Sequence, residues 1–396
     1  MSDSTTAPMR LLRIISSLDR RSGGPAEAAR RLDTELVQLG HSVEVVSLDD
    51  PGESWIHDYP VAVHALGGRG GYRYSPRLTP WLKENASRFD AVVVDGLWQY
   101  TGLGVWRALS RGTVPYFVFT HGMLDPWFKR AYPLKHLKKW LYWPWAEYRV
   151  LRDAQAVLFT CEEERRLARQ SFWLYRPRRE IVTAFGTADV PPDSAALRDA
   201  FHRQYPALAG QRMCLFLGRL QEKKGCDLLI QAFARVASRD ERLRLVMAGP
   251  GDEAWVAHLK ELAHKAGIAD RIVWTGMLTG DLKWAAFYAC ELFCLPSHQE
   301  NFGIAVAEAL ACGRPVAISD KVNIWREVET DEAGWVAPDT VEGTVRSLQG
   351  WLDATPQELA RRGQAARHSF ERRYKIDQAA RSLMTIVGGR LPAPAH

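Results

Sequence analysis

The stretch LLRIISSLDRRSGGPAEAARRLDTELVQLGHSVEVVSL, residues 11–48, decides the fold. Leu11 to Ile15 predicts a buried strand, and the pattern from Pro25 to Leu39 predicts a helix that Gly40 ends in the left-handed conformation. Val43 to Leu48 predicts the next strand. This order of strand, loop, helix and strand is a β-α-β unit, and its glycine-containing loop lies on the side where such units bind phosphate.

The same alternation continues through most of the chain. Ala91–Val94 and Tyr116–Phe119 predict two further buried strands, each followed by a loop of the kind that holds ligands in parallel sheets. Beyond Arg212, helical stretches separate five short apolar strands, at residues 213–217, 243–248, 271–275, 292–295 and 315–318. The sequence therefore predicts an α/β protein with two doubly wound sheets.

Pro191 and Pro192 predict the linker between the two domains, because consecutive prolines exclude regular structure. We place the N-terminal domain at residues 1–190 and the C-terminal domain at 191–375. Residues 376–396 are expected to form a C-terminal helix that packs back towards the first domain, followed by a disordered tail at 391–396.

The composition suits two buried cores. The 396 residues are 46% hydrophobic, no run of about 18 apolar residues occurs, and the first ten residues lack the order of a secretory signal. We therefore expect a cytoplasmic protein. The six cysteines are scattered among apolar residues, as reduced core thiols are. Cys290 and Cys294 have no further ligands at a matching spacing, so no metal site is expected.

The net charge of +6 comes from one segment. Residues 121–180 contain 13 Lys or Arg against 7 Asp or Glu, whereas the rest of the chain has equal numbers of each sign. Such a basic segment indicates an anionic partner, which is a phosphate-bearing substrate, an acidic membrane surface or nucleic acid.

The segment from Ser297 to Gly303 follows a predicted strand and opens a helix. Backbone N–H groups near Phe302 would therefore point at a ligand, and the helix N-terminus favours an anion such as a diphosphate. Glu300 and Glu308 are placed to accept hydrogen bonds from different hydroxyls of one long ligand. The alternative is that the first caps the helix and the second is a solvated helix residue.

Gly218 to Gly225 forms a second loop between a strand and a helix, and it contains Arg219 and Lys224. Two cations just beyond a strand end can neutralise the charge on a departing nucleoside diphosphate. A surface charge run is the alternative, but the position after a strand of a doubly wound sheet favours an anion site.

These motifs closely resemble the pattern of glycosyltransferase family 4. They are Gly-Arg-Leu-x3-Lys-Gly at 218–225, Ala-Gly-Pro-Gly at 248–251 and Pro-Ser-x2-Glu-x2-Gly-x4-Glu-Ala at 296–309. The resemblance continues from Gly313 to Gly334 and spans nearly the whole chain; the ordered set is specific although each motif alone is weak. It implies the GT-B fold, two facing Rossmann-like domains with a ligand cleft between them, of which the second binds a nucleotide sugar and the first the acceptor.

By this resemblance, Arg219 and Lys224 hold the donor diphosphate, Glu300 contacts the donor sugar and Glu308 contacts the ribose. The amides implied to contact phosphate or sugar are those of Asn301, Phe302 and Gly303.

In the first domain, Gly23 and Gly24 match the family's glycine loop, where glycine permits close approach of the backbone to the donor. His121 and Gly122 match its His-Gly position beside the reacting sugar, so His121 is expected to contact the sugar or the acceptor; a structural histidine is the alternative. Asp125 either binds the acceptor or caps the following turn.

Two departures from the family pattern concern the loops. Lys321 to Ile324 stands where the family often has Gly-Gly, which puts the donor-sugar preference in doubt. Phe185 and Gly186 stand where Asn-Gly is common, and we interpret this as a local change of turn.

The resemblance also implies a retaining transfer that needs no metal and no cofactor, with a nucleotide-diphosphate sugar as co-substrate. No Asp-x-Asp motif, the usual metal and diphosphate ligand of the other main glycosyltransferase fold, occurs in the sequence. We expect a front-face reaction in which the diphosphate held by Arg219 and Lys224 accepts the acceptor's proton. A glycosidase would need Glu300 and Glu308 aimed at one bond, which their placement does not favour.

Basic and aromatic residues alternate between residues 128 and 148. The cations are Lys129, Arg130, Lys135, Lys138 and Lys139, and the aromatic residues are Tyr132, Trp140, Tyr142, Trp143 and Trp145. A helix that begins near Leu134 would also place Leu137 and Leu141 on one face. This pattern suits an anionic membrane and a lipid-linked acceptor; an amphipathic helix packed on the first domain is the alternative. No nucleic-acid partner is expected, since no recognised binding module accompanies the segment.

Together these observations predict a hexosyltransferase-type enzyme of bacterial polysaccharide or envelope biosynthesis. It would transfer one sugar to a glycan or lipid-linked glycan in the cytoplasm or at the inner face of the cytoplasmic membrane. The alternatives are a sugar-nucleotide epimerase of the same architecture and a catalytically silent membrane-associated scaffold.

Overall fold

The computed structural model describes residues 7–19 and 24–389. The chain divides into two units: the residues up to Ala188 together with those from Ile376 onwards, and Asp189–Lys375. Gly23 and the predicted tail at 391–396 lie outside the described residues.

The first unit is built on a parallel sheet of seven strands. The strands are β1 (Arg10–Ile15), β2 (Ser42–Ser47), β3 (Ala62–Ala65), β4 (Ala91–Asp95), β5 (Tyr116–Phe119), β6 (Ala156–Phe159) and β7 (Glu180–Val182). The helices are α1 (Gly24–Gln38), α2 (Ser54–His57), α3 (Leu78–Asn85), α4 (Tyr100–Leu109), α5 (Trp127–Ala131), α6 (Pro133–Tyr142), α7 (Glu147–Asp153) and α8 (Glu162–Ala168). Its strand order is β3-β2-β1-β4-β5-β6-β7.

The second unit repeats this plan with six parallel strands. Its strands are β8 (Arg212–Leu217), β9 (Leu243–Ala248), β10 (Ile272–Gly276), β11 (Leu292–Leu295), β12 (Val316–Ser319) and β13 (Gly334–Ala337). Its helices are α9 (Ala195–Gln204), α10 (Cys226–Val236), α11 (Glu253–Lys265), α12 (Gly280–Ala289), α13 (Ile304–Ala311), α14 (Trp325–Thr330), α15 (Val341–Asp353) and α16 (Pro356–Arg373). The order is β10-β9-β8-β11-β12-β13.

Each sheet therefore reverses its strand order beside its first strand, as doubly wound sheets do. The reversal lies between β1 and β4 in the first unit and between β8 and β11 in the second. The central strands are buried on both faces, which explains why their sequences are nearly continuous apolar runs. The predicted α/β class and the two Rossmann-like domains are confirmed.

The last helix of the chain, α17 (Ile376–Val387), belongs to the first unit although it follows the second in sequence. Its buried residues Leu383 and Met384 share a hydrophobic cluster with Leu32 and Leu36 of α1. Leu32 and Leu36 are four residues apart, the spacing that places side chains on one helix face. The core of the first unit is thus completed by the C-terminal end of the chain.

Two further features follow from the arrangement of apolar residues. All six cysteines are buried and free, which agrees with the prediction of core thiols. Among residues 7–19 and 24–389, no helix combines the length and apolar character needed to cross a membrane.

Leu383→Ala is expected to destabilise the first unit by about 2–5 kcal/mol, because it removes a buried side chain and leaves a cavity. Hydrogen exchange should show lost protection in β1 and β2 while β8 and β9 keep theirs. Leu348→Ala, at a buried position of α15 in the second unit, is the matched control and should show the reverse. Equal loss of protection in both sheets for either variant would contradict the division into two units.

Candidate active site

In the second unit, the two loops that carry the sequence motifs leave neighbouring strands. The loop at 218–225 follows β8 and the loop at 296–303 follows β11, and these strands lie side by side at the point where the strand order reverses. Because the strands are parallel, both loops lie at the same edge of the sheet. The topology therefore brings together motifs that are about eighty residues apart in the sequence.

Three contacts join the two loops. The His298 N–H donates to the Lys223 carbonyl oxygen at 2.8 Å, and Lys224 Nζ forms an ion pair with Glu300 Oε2. Gly225 has a φ of 67°, and a Cβ there would lie 2.2 Å from the Pro296 carbonyl oxygen. Only glycine permits this approach. The two motifs thus form one site.

Glu300 is held at this site by backbone hydrogen bonds on both sides. Its N–H donates to the Lys321 carbonyl oxygen at 3.0 Å, and its own carbonyl oxygen accepts from the Asn323 N–H at 3.0 Å. The Asn323 amide also donates to Asn301 Oδ1 at 3.3 Å. The segment that departs from the family pattern, Lys321 to Ile324, therefore supports the carboxylate assigned to the donor sugar.

The helix α13 begins immediately after this loop. Gly303 precedes it in the left-handed conformation, with a φ of 74°, and the Val306 N–H donates to the Gly303 carbonyl oxygen at 2.8 Å. The amides before Val306 lie at the helix N-terminus, where N–H groups have no intrahelical acceptor and the helix dipole attracts anions. Gly303 is the N-cap residue of this helix, and Asn301 and Phe302 directly precede it.

The cations of the site differ in exposure. Arg219 is exposed and lines a pocket of about 480 Å³ with Pro250 and Trp255. Lys224 is mostly buried, and burial, followed by the charges of Lys223 and Arg219, lowers its pKa to about 7. An anion placed beside these cations would compensate their repulsion.

Glu308 is buried on α13 and pairs with a cation that the sequence analysis did not identify. Lys283 Nζ, from α12, lies 2.6 Å from Glu308 Oε1. The same ammonium group lies 4.4 Å from the centre of the Trp284 ring. The alternative of a solvated helix carboxylate is therefore wrong for Glu308.

His298 is a second residue that the sequence analysis left without a role. Its Nδ1 lies 2.8 Å from Asp339 Oδ2, on the loop that follows β13. Lys321 Nζ lies 4.0 Å from the other oxygen of Asp339. These contacts tie the loop after β13 to the loop that carries Glu300.

In the first unit, His121 lies directly after β5 and is held by Asp95, the last residue of β4. His121 Nε2 lies 2.7 Å from Asp95 Oδ1, and its side chain is nearly buried. The imidazole stacks on Phe119 with ring centres 5.4 Å apart. Phe185 packs edge-on against the same imidazole at 6.0 Å. The departure at Phe185 therefore also supplies a wall of the histidine pocket.

Asp95 connects His121 to a buried series of polar groups. Its second oxygen, Oδ2, lies 2.5 Å from Arg13 Nη1, and Arg13 Nε lies 2.7 Å from Asp33 Oδ1. Tyr59 donates its hydroxyl to Asp33 Oδ2 at 2.9 Å. Burial raises the pKa of Asp95, but the Arg13 charge and the His121 hydrogen bond outweigh burial and hold this pKa below its usual value. For Asp33, burial outweighs the Arg13 charge and raises the pKa.

Glu164 fixes the backbone around His121 from the other side. Its Oε1 accepts from the Thr120 hydroxyl and the Gly122 N–H, both at 2.6 Å. Its Oε2 accepts from the N–H and hydroxyl of Thr160 at 2.8 and 2.7 Å. One buried carboxylate thus ties the loops after β5 and β6 together, and no local motif marks it in the sequence.

The remaining predicted residues of the first unit have simpler surroundings. Asp125 Oδ1 accepts from the Trp127 N–H at 2.8 Å, so the structure places this carboxylate in the turn before α5. Gly24 is the first residue of α1.

The basic segment presents its leucines to solvent. Leu134, Leu137 and Leu141 on α6 are 79%, 55% and 60% exposed, and Trp145 is 71% exposed. The leucine face of α6 therefore does not pack on the first unit, although His136 of the same helix stacks on Phe172. Trp143, one of the aromatic residues predicted for the membrane surface, is instead fully buried. Its indole N–H donates to the Trp173 carbonyl oxygen at 2.7 Å.

Lys139 and Tyr142 also point partly inwards. The Lys139 ammonium lies 4.6 Å from the centre of the Trp98 ring, and the Tyr142 hydroxyl contacts the Tyr72 hydroxyl. The exposed cations are Lys129, Arg130, Lys135 and Lys138.

Two family models match the chain. The Glycosyl transferase 4-like domain matches residues 23–186, and Glycosyl transferases group 1 matches residues 198–369. The chain belongs to the family 4 glycosyltransferases.

Relatives of named activity support this membership over shorter segments. D-inositol 3-phosphate glycosyltransferase from Xylanimonas cellulosilytica is 31% identical over 207 residues, which is 50% of this glycosyltransferase and 47% of the relative. The lipopolysaccharide core biosynthesis mannosyltransferase LpsB from Rhizobium meliloti is 26% identical over 260 residues, 60% of this chain and 73% of LpsB. The chain spans about half the length of the first of these relatives.

A solved structure shows the fold of this glycosyltransferase over its whole length. HepE from Anabaena, in complex with UDP and glucose, matches with a TM-score of 0.77 and 16% identity, covering 96% of this chain and 99% of HepE. The predicted fold class is thereby confirmed.

Gly225→Ala is expected to separate the loops at 218–225 and 296–303. Gly210→Ala is the matched control, because Gly210 has a similar φ of 70° but no atom within 4 Å of an added Cβ. The control should lose only the about 1–2 kcal/mol cost of a left-handed alanine. The site variant should lose more, and hydrogen exchange should show lost protection at 296–303. Equal melting temperatures for the two variants would contradict the close approach to Pro296.

Proposed function

We propose that this glycosyltransferase is a retaining, metal-independent enzyme that transfers a hexose from a nucleoside diphosphate sugar to a glycan or lipid-linked glycan of the bacterial envelope. The observation that carries the proposal is the single site formed by the Lys224–Glu300 ion pair and the N-terminus of α13. The site combines a cation for a diphosphate with a carboxylate for sugar hydroxyls.

Arg219 and Lys224 supply the positive charge that a departing diphosphate needs. Oriented cations and helix amides stabilise developing negative charge without reorganisation. The charge of a metal ion is then not required, and the diphosphate oxygen itself takes the acceptor's proton. No protein nucleophile takes part, because Glu300 and Glu308 each pair with a lysine and each serves a different part of the donor.

The two lysine–carboxylate pairs suggest how the donor is held. A diphosphate that pairs with Lys224 leaves Glu300 able to accept hydrogen bonds from sugar hydroxyls. Glu308, oriented by Lys283, accepts from the ribose hydroxyls. His121 contacts the sugar or the acceptor in this proposal, and Asp125 orders the loop in which His121 lies.

UDP-sugars are the first donors to test, since HepE is solved with UDP and glucose; a GDP-sugar is the next, since LpsB is a mannosyltransferase. A thermal-shift screen against UDP, GDP and ADP will identify the base, because a ligand that binds only the native state raises the melting temperature. Purified protein and the selected nucleotide sugar are then incubated without acceptor. Formation of an altered nucleotide sugar would identify an epimerase, and no response to any nucleotide would leave a scaffold.

Lys224→Ala should weaken UDP binding by about 10- to 100-fold, as expected for the loss of a charge-assisted hydrogen bond. UDP affinity of the unchanged protein should fall as the pH rises through about 7, because Lys224 has a lowered pKa and its neutral fraction, which grows with pH, takes up a proton to pair with the diphosphate. Calorimetry in two buffers of different ionisation enthalpy measures this uptake. Arg235→Ala, at a surface pair with Glu342, should retain both the affinity and the uptake. The same uptake in Lys224→Ala would show that another group titrates.

The exposed leucines and tryptophans of residues 134–145 suggest that the acceptor is met at a membrane. Apolar side chains beside the cations Lys135 and Lys138 match an anionic lipid surface, into which an amphipathic helix inserts one face. The peripheral association with the inner face of the cytoplasmic membrane is part of the proposal.

Leu137→Glu/Leu141→Glu should reduce binding to vesicles of phosphatidylglycerol and phosphatidylcholine by at least about tenfold, because each leucine loses about 1.5–3 kcal/mol of burial. Co-sedimentation at two salt concentrations measures the loss. Val37→Glu, at a position on α1 that is 46% exposed, is the control and should bind like the unchanged protein. Vesicle binding that survives the double substitution would remove α6 from the membrane contact.

A further inference from the structure

The polar chain behind His121 lies where a parallel sheet normally has apolar residues. Arg13 stands in the middle of β1, an interior strand of its sheet, and is 1% exposed. Asp33 and Asp95 are buried with it. Buried ion pairs of this kind are often no more stable than apolar residues of the same volume. Stability alone does not explain the cluster, the more so because Arg13 Nη2 is buried without a hydrogen-bond partner in the described residues.

The buried polar groups form one linear series that ends at His121. Both oxygens of Asp33 are occupied, by Tyr59 and Arg13, and both oxygens of Asp95 are occupied, by Arg13 and His121. Asp95 therefore has a fixed orientation, with Oδ1 left for the imidazole. Asp33 lies on α1, Arg13 on β1 and Asp95 on β4, and the series ends at His121 after β5. It therefore extends over three neighbouring strands to the edge where such sheets bind ligands.

An aspartate beside Nε2 determines the tautomer of a neutral histidine. A carboxylate accepts and does not donate, so Nε2 carries the proton and Nδ1 becomes the only acceptor of the ring. The backbone of His121 is fixed as well: its φ is 47°, an uncommon conformation for a residue other than glycine, and Glu164 binds the residues on both sides. Ring orientation, tautomer and backbone are thus set by separate buried groups.

We propose that Asp95, Arg13 and Asp33 are positioning residues that hold His121 as the Nε2–H tautomer, so that Nδ1 accepts a hydrogen bond from a hydroxyl of the sugar or the acceptor. The second half of this statement rests on the proposed transferase function. The first half is a property of the protein by itself.

The tautomer is measured directly by two-bond proton–nitrogen NMR spectra of protein labelled with ¹⁵N-histidine, with the His121 signal assigned from the His121→Gln variant. The unchanged protein at pH 8 should show Nε2 protonated and Nδ1 unprotonated. A protonated Nδ1 would overturn the proposal without any variant and without any nucleotide.

Arg13→Met/Asp33→Leu tests the role of the chain behind Asp95. The double variant removes the Arg13–Asp33 ion pair as a whole, and Asp95 keeps the His121 imidazole as its partner, which favours retention of the fold. His121 should then populate both tautomers, and kcat for UDP release from UDP-glucose should fall about tenfold with KM changed less than twofold. A folded variant with the native tautomer and native kcat would overturn the positioning role.

Two further variants separate positioning from stability. Leu36→Ala removes a buried side chain of α1 outside the polar chain, so it lowers the melting temperature but should keep the native tautomer and kcat. Tyr59→Phe removes one hydroxyl and leaves all three charges, so it folds even where the double variant does not. This variant should broaden or shift the His121 signal. An unchanged signal would overturn the coupling of the buried polar groups to His121. If no nucleotide sugar is turned over, the transferase proposal fails, and the NMR result still decides the tautomer.

Discussion

A doubly wound parallel sheet forms a crevice for ligands between the loops of two adjacent strands where its strand order reverses, and both sheets here reverse beside their first strand. At such a point, consecutive crossovers run to opposite sides, so the loops after the two adjacent strands are free to meet. Lys224 and Glu300 meet there although 76 positions separate them, and Arg13 meets Asp95 across 82 positions. The site chemistry in each unit depends on this topological constraint.

The two units use the same topology for opposite electrostatic purposes. In the second unit, glycines at the sheet edge bring backbones into contact: a Cβ on Gly249 would lie 1.8 Å from the Gly218 carbonyl oxygen. Arg219 lines an open pocket at this edge, and Lys224 and the N-terminus of α13 lie on the loops after β8 and β11. In the first unit, the charged groups are buried and paired with one another, and together they orient one imidazole.

The sequence predicted the fold and the donor loops because both leave local signals: apolar strands between helices, and motifs with fixed spacing after β8 and β11. The buried polar residues that pair with the predicted site residues left no such local signal. Arg13 lies within an apolar run that reads as an ordinary strand, and its partners Asp33 and Asp95 are distant in the sequence. Lys283 was missed for the same reason. The face of α6 could not be decided either, because leucines at helical spacing look alike whether they pack on a domain or face solvent.

The pairing of Lys224 with Glu300 links the binding of the diphosphate to the contact between Glu300 and the sugar. A mostly buried lysine without a counter-charge is costly, so the carboxylate stabilises the empty arrangement of the loops. In the proposed function, a diphosphate replaces that counter-charge, and the freed carboxylate then faces the donor. Since the Glu300 backbone is held by Lys321 and Asn323, the angle at which it meets the sugar depends on the segment that departs from the family's glycine pair. Differences in donor sugar among relatives are therefore expected to follow this segment more closely than the cations, whose partner, the diphosphate, is common to all nucleotide-diphosphate sugars.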